Sequence, residues 1–354
     1  MSSSTETSGS KTTFKPASLL KHPAITHPRS FWASIPQRTL FSNKMKEHPQ
    51  GRYLVKLAMI LGHPFQYVLR KSQAFPLKIR TGYQVDAAKG YCKLNCGELP
   101  GFTKVLDLCR NIFQERLPQF ELIAANQATG KDYMADMLYD QDLRDHPEII
   151  DFALQDAFLA MASDYLGGVP VLRRVTMFYS NHRDYEDLIR SQLFHVDGED
   201  IKQLKFFINL YDVQDEQDGP FTFLPAKPTA EFLNHYRKAH GALPESNRYR
   251  DEEVFANYSP TQLIRGLGKT GEGLAVDTSR CLHYGSRIDP GHFRLILFMQ
   301  YVSYHNIAEC KLNTFESHRF SENSPQRLAL TPRISHPFAY YYTNPLLAGK
   351  KDKS

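Results

Sequence analysis

The chain reads as an α+β protein whose strands form a jelly-roll core of the cupin kind, and three features of the sequence predict this. Up to Gly167-Gly168 the apolar residues recur at helical spacing. Beyond that point β-branched and aromatic residues gather in short runs bounded by Gly and Pro, the pattern of strands and turns. Helices first and strands afterwards point to a segregated arrangement rather than alternating βαβ units. A closed double-sheet roll suits many short strands, because it can hold a small ligand between its sheets.

Taken in order, residues 1–25 are rich in Ser, Thr and Lys and read as a disordered polar tail. Residues 26–354 read as one domain: a helical part over 45–168, the jelly roll over 169–304 and a C-terminal extension over 305–354. Leu54, Leu57 and Leu61 predict an amphipathic helix within 51–72, and Val105, Leu108, Ile112 and Phe113 predict another after Pro100. A third is expected from His146 to Tyr165, with Pro147 in its first turn and Gly167-Gly168 ending it. Strands are expected over Val171–Tyr179, Gln203–Val213, Phe221–Leu224, Gly273–Asp277 and Phe293–Tyr304. Residues 231–260 are polar and charged and read as an insertion over one mouth of the core.

Composition excludes several classes. A net charge of +5 spread over 354 residues gives no basic stripe for nucleic acid. The most apolar stretch, Tyr53–Leu69, is broken by Lys56, Gly62, His63 and Pro64 and is too short to span a bilayer, so no membrane partner is expected. The N-terminus lacks a secretory apolar stretch, and five cysteines show no framework. Both suggest a reducing, cytoplasmic setting. Cys92, Cys96 and Cys109 have no evident fourth ligand for zinc.

The chemistry lies in three side chains. His195 and Asp197 are two apart in Ser191-Gln-Leu-Phe-His-Val-Asp197; in an extended segment they point to one side while Val196 faces away. With His283 they make two imidazoles and one carboxylate, the ligands for one face of a ferrous ion whose other positions stay open. His-x-Asp occurs again at His182-Arg-Asp184, in a polar run that looks like a loop, and either copy can be a surface ion pair. His292 competes with His283, which is preferred because it follows the end of a strand. Arg294 sits in a strand that is apolar on both faces, so its guanidinium is buried on either assignment. A buried charge needs a partner: Asp277, or the distal carboxylate of 2-oxoglutarate.

Four segments, in order, resemble the phytanoyl-CoA dioxygenase family: Asp164-Tyr-Leu-Gly167; Ser191 to Asp197; Leu204 to Val213 followed by Gly219-Pro-Phe-Thr-Phe-Leu-Pro225; and His283-Tyr-Gly-Ser286 with Arg294 eleven residues after the histidine. The resemblance covers residues 90–304. It implies a double-stranded β-helix with helices packed on one sheet. It also implies iron on His195, Asp197 and His283, and 2-oxoglutarate on Arg294 with Ser286 beside it. Met177, Tyr179 and Asn209 are then expected to line the cosubstrate pocket. The implied reaction uses Fe(II), 2-oxoglutarate and O2, with ascorbate as a candidate addition, to hydroxylate an unactivated C–H bond of a small molecule. Asp197 keeps the carboxylate ligand, which favours hydroxylation over halogenation.

The chain departs from the family pattern at Pro225-Ala-Lys-Pro228, at Val196 and at Ile288, and these departures argue against a phytanoyl-CoA substrate. Two other readings stay open: a jelly-roll metalloprotein that does not use 2-oxoglutarate, and a non-catalytic small-molecule-binding protein of the same fold.

Overall fold

The computed structural model describes chiefly residues 63–77, 82–126, 133–184, 187–304 and 317–331, with isolated positions between 53 and 61. All belong to one compact unit, Leu40–His336. The expected tail over 1–25 lies outside the described residues, as does most of the C-terminal extension.

The architecture is mixed, helices with two antiparallel sheets. The larger sheet has six strands, in the order β1 (Tyr91–Asn95), β9 (Glu272–Val276), β5 (Gln203–Asn209), β11 (Phe293–Val302), β3 (Val171–Asn181) and β2 (Met134–Asp136). The smaller has five: β7 (Arg248–Tyr249), β4 (Phe194–His195), β10 (Leu282–Tyr284), β6 (Thr222–Leu224) and β8 (Ile264–Arg265).

Strand β11 is the axis of the larger sheet, paired to β3 on one side and β5 on the other. Its odd residues Leu295, Leu297, Met299 and Tyr301 join the main apolar core, together with Leu204, Phe206 and Ile208 of β5 and Val175, Met177 and Tyr179 of β3. That core is closed by helices α2 (Phe102–Asn126), α4 (Glu148–Ala153) and α5 (Asp156–Leu166), which contribute Val105, Ile112, Phe152, Phe158 and Leu159. Alternation then places the even residues on the opposite face, toward the smaller sheet. There Phe178, Phe298 and Phe207 form an aromatic row across three strands, with centroids 5.1 and 5.5 Å apart, and Phe207 stacks on Phe221 at 4.0 Å.

Several elements differ from the sequence reading. The helix expected over 146–165 breaks at Gln155, whose backbone is extended (ψ 150) and whose side-chain amide donates to the Pro100 carbonyl. The strand expected to reach Val213 ends at Asn209. In the first helical region, α1 (Pro64–Ala74) buries Arg70 and Ala74, whereas Leu57 and Leu61 of the expected stripe are exposed; Leu54 is outside the described side chains. Arg70 donates to the carbonyls of Val169, Pro170, Leu328 and Thr331. The polar segment 231–260 is structural as well: its Phe232, Tyr249 and Val254 pack with Phe194, Leu224 and Leu282 on the outer face of the smaller sheet. Charged neighbours in the sequence hide these apolar anchors.

Asp277, at the end of β9, is fully buried. It accepts hydrogen bonds from the Tyr165 hydroxyl at 2.6 Å and from the backbone N–H groups of Ser279 and Gln203 at 3.1 and 3.4 Å. Burial outweighs these bonds and raises its carboxyl to about 6. The folded protein therefore holds this proton more tightly than the unfolded chain, and the stability it contributes is lost as pH rises from about 4 to 6. In paired urea melts at pH 4.5 and 6.5, Asp277→Asn is expected to gain on the parent protein by about 2 kcal/mol between the two pH values. An unchanged difference would show that Asp277 titrates normally.

Candidate functional site

The smaller sheet brings the metal-ligand types together. His195 of β4 and His283 of β10 are direct cross-strand partners, so their side chains project to the same face. Phe194, Leu282 and Val196 lie in the outer apolar cluster, which turns the two histidines inward. Their rings lie 4.2 Å apart, centroid to centroid. Asp197 follows just past β4, held by its N–H donating to the Thr278 carbonyl at 2.8 Å. Its Oδ1 is 3.9 Å from His195 Nε2 and its Oδ2 is 3.6 Å from His283 Nε2. The three ligand atoms lie within 4.8 Å of one another, the only such grouping among the described residues.

The imidazoles are set for metal by their other nitrogens. His195 Nδ1 meets the Leu193 carbonyl and His283 Nδ1 the Cys281 carbonyl, each at 2.9 Å. A carbonyl only accepts, so Nδ1 carries the hydrogen and Nε2 keeps a lone pair facing Asp197. Burial, reinforced by the neighbouring His283, lowers His195 to about 2 against the pull of Asp197. His283 is lowered too, chiefly by burial. For Asp197 burial acts upward, but Lys205 and the two imidazoles outweigh it and hold the carboxyl well below its usual range. The site is thus two neutral imidazoles and one carboxylate at neutral pH.

Arg294 lies on the even face of β11, 4% exposed. One terminal nitrogen donates to the Gly219 carbonyl and the other to Ser286 Oγ at 3.2 Å, while Nε has no partner. No carboxylate among the described residues reaches it, and burial alone lowers it to about 10. Asp277, the protein acid that could have neutralised it, is bonded to Tyr165 instead. Arg70, another deeply buried guanidinium, has four carbonyl partners; Arg294 has one carbonyl and one hydroxyl. Gly219 is required for this contact: its φ is +61, and a Cβ there would lie 2.4 Å from Ile288.

Of the other residues read from the sequence, Ser286 and Asn209 come to Arg294. Ser286 also bonds Ser180 Oγ at 3.0 Å and takes a strained φ of +61. Asn209 shares with Arg294, Phe207, Phe221 and Ile296 the lining of a cavity of about 10 Å³. Met177 and Tyr179 do not come to it. They lie on the odd face of β3, in the helical core, and Tyr179 packs on Phe113 and Phe120. Thr176, Phe178 and Ser180 take the inner face instead. His182 pairs with Asp184 at 2.8 Å and His292 with Asp218 at 2.8 Å, so neither joins the cluster.

Three residues were missed. Lys205 on β5 is 8% exposed and donates to Asp197 Oδ2 at 2.6 Å. Its signal was the one that marked Arg294, a charged residue inside an apolar strand. Arg248, half-buried, is the cross-strand partner of His195, and the outward burial of Tyr249 turns it to the same face. Asn247, with φ +51, ties this segment down by donating to the Val196 carbonyl. No sequence spacing marked either Arg248 or Asn247.

No family model and no curated protein matches the chain. Among solved structures it is similar to EctD from S. alaskensis with 2-oxoglutarate and 5-hydroxyectoine, at 14% identity and TM-score 0.41, over 62% of this chain and 74% of that one. It is also similar to HygX from Streptomyces hygroscopicus with nickel and 2-oxoglutarate bound, at 16% and 0.39, over 61% and 83%. A third is the non-heme alpha ketoglutarate dependent carbocyclase SnoK from nogalamycin biosynthesis, at 15% and 0.39, over 67% and 89%. These likenesses are remote, and none assigns a family or an activity.

Proposed function

We propose that this chain is an Fe(II)- and 2-oxoglutarate-dependent dioxygenase that hydroxylates an unactivated C–H bond of a small molecule. The carrying observation is the buried Arg294 guanidinium with no anion among the described residues to neutralise it, in a core that also gathers His195, Asp197 and His283. A double-stranded β-helix resembling the phytanoyl-CoA dioxygenases accounts for both. In this reading the chain is one domain from residue 26 onward, working in the cytoplasm, where the free thiols of Cys92, Cys96, Cys109 and Cys281 are at home.

The donor set fits the ion: two neutral imidazole nitrogens and one carboxylate oxygen suit a ferrous centre with open positions. The orphaned Nε of Arg294 fits a carboxylate. Bound together, iron and 2-oxoglutarate would supply the activation of O2, one oxygen atom going into the succinate formed with carbon dioxide and the other into the hydroxylated C–H bond. The residues do the rest. Arg294 and Ser286 anchor the distal carboxylate, and Asn209 offers an amide beside it. Lys205 holds one oxygen of Asp197 and so fixes the carboxylate's orientation. The Phe207–Phe221 pair closes the cavity, which has room for about one water, so a dicarboxylate enters when these rings part. Arg248 gives the far side of the histidine pair a positive charge, suited to an anionic group on the substrate.

Lys205 also supports a second reading. An ammonium at 2.6 Å on the ligand carboxylate is what a binding protein of the same fold without metal would display. Metal content after anaerobic purification separates the two.

With Fe(II) and 2-oxoglutarate alone, the protein is expected to form succinate slowly. His195→Ala and Asp197→Ala should each lower iron retention and succinate formation by about a hundredfold. Retention of iron by both variants would remove the assignment. Arg294→Met is expected to raise the 2-oxoglutarate KM by about 10- to 100-fold, with kcat changed much less, because the anchoring bonds are made equally in ground and transition states. An unchanged KM would place the cosubstrate elsewhere.

A further inference from the structure

The first helical region is apolar on two sides. Its inner side is anchored: Ile60 and Tyr67 pack on the main core, and Leu69 and Ala74 pack with Val169 and Leu328. Its outer side is also apolar. Tyr53, Leu57, Leu61, Phe65, Val68 and Phe75 are between 52% and 89% exposed. They are six of the ten large hydrophobic side chains exposed among the described residues, gathered into 23 consecutive positions. Leu57 and Leu61 are four apart, and Phe65 and Val68 three apart within α1, so each pair forms a ridge. Scattered exposed apolar residues need no explanation, but a contiguous strip of this kind marks an interaction surface.

Charge indicates the occupant. Between Glu47 and Asp86 the sequence has no acidic residue, while Arg52, Lys56, Arg70, Lys71, Lys78 and Arg80 fall in the same stretch. Exposed Lys71 reaches over the ring of Tyr67 on the anchored side at 4.8 Å and so flanks the strip, and half-buried Lys56 directly precedes Leu57. Arg70 is turned inward onto backbone carbonyls and does not contribute to the surface.

We propose that this face rests on an anionic phospholipid surface, its apolar side chains in the headgroup–acyl boundary and its lysines on the lipid phosphates. Two arguments favour a bilayer over a protein. The strip runs along exposed helical turns on both sides of His63 and not in a groove, and a fluid surface needs no complementary pockets. A second copy of the same face would bring together two segments that carry basic residues and no acidic one to pair with them. The sequence expectation of no membrane partner rested on the failure of this segment to span, and no helix among the described residues is long and apolar enough to cross a membrane. A helix lying in the plane of the interface is a different case.

The test is sedimentation of the full-length protein with vesicles of phosphatidylcholine alone or mixed with phosphatidylglycerol. Binding is expected to the mixed vesicles only, and to weaken with added salt. The combined change Leu57→Ser, Leu61→Ser, Phe65→Ser and Val68→Ser should reduce partitioning about tenfold or more, with the circular-dichroism melt preserved. Lys56→Glu with Lys71→Glu, at exposed or half-exposed positions, should remove the preference for phosphatidylglycerol. Three results overturn the proposal: no sedimentation with either vesicle, equal partitioning of the serine variant, or light scattering that shows a dimer which the serine variant splits.

Discussion

Arg294 is a cation taken out of water without a matching anion among the described residues, and the site follows from that constraint. A guanidinium with 4% exposure survives in the fold because Gly219 and Ser286 accept two of its hydrogen bonds. Both acceptors sit at φ +61, which is strained for Ser286 and which Gly219 tolerates because it has no Cβ. Arg70 shows the contrast: a buried arginine with a structural task is surrounded by four carbonyls and ties α1 to the start of β3 and to the segment near Leu328.

The two sheets divide the labour. The larger one buries its odd residues under helices and turns its even residues inward. Arg294, Asn209, Lys205 and the aromatic row thus come to one surface through strand alternation alone. The smaller sheet contributes the histidine pair through a single cross-strand register, His195 to His283. A slip by one residue in either strand would move an imidazole to the outer apolar cluster. The apolar packing of Phe194, Tyr249, Leu224 and Leu282 on that outer face is what prevents the slip, so the segment over 231–260 supports the histidine pair from behind.

Much of this was legible in the sequence, and its limits have physical causes. The spacing of His195 and Asp197 fixed their convergence because an extended chain repeats every two residues. Arg294 was legible because a charge in a strand apolar on both faces has nowhere exposed to go. The same property concealed the facing of β3. Where both faces are apolar there is no alternation to show which is inward, and Met177 and Tyr179 proved to belong to the helical side, with Thr176, Phe178 and Ser180 opposite. Lys205 carried the signal of Arg294 but lies in a run read for its apolar residues. Arg248 and Asn247 could not be found at all, since a two-residue strand leaves no periodicity. In the first helical region Leu57 and Leu61 are helical, as their spacing predicts, but spacing does not show which of two apolar sides meets the core.

The most direct measurement is a crystal structure of the protein grown without air in the presence of Fe(II) and 2-oxoglutarate. The account predicts one metal ion bound by His195, Asp197 and His283, and the guest's distal carboxylate on Arg294 and Ser286 with the Phe207 and Phe221 rings displaced. An intact Lys205–Asp197 ion pair with no metal between the histidines, or a dicarboxylate bound away from Arg294, would contradict it.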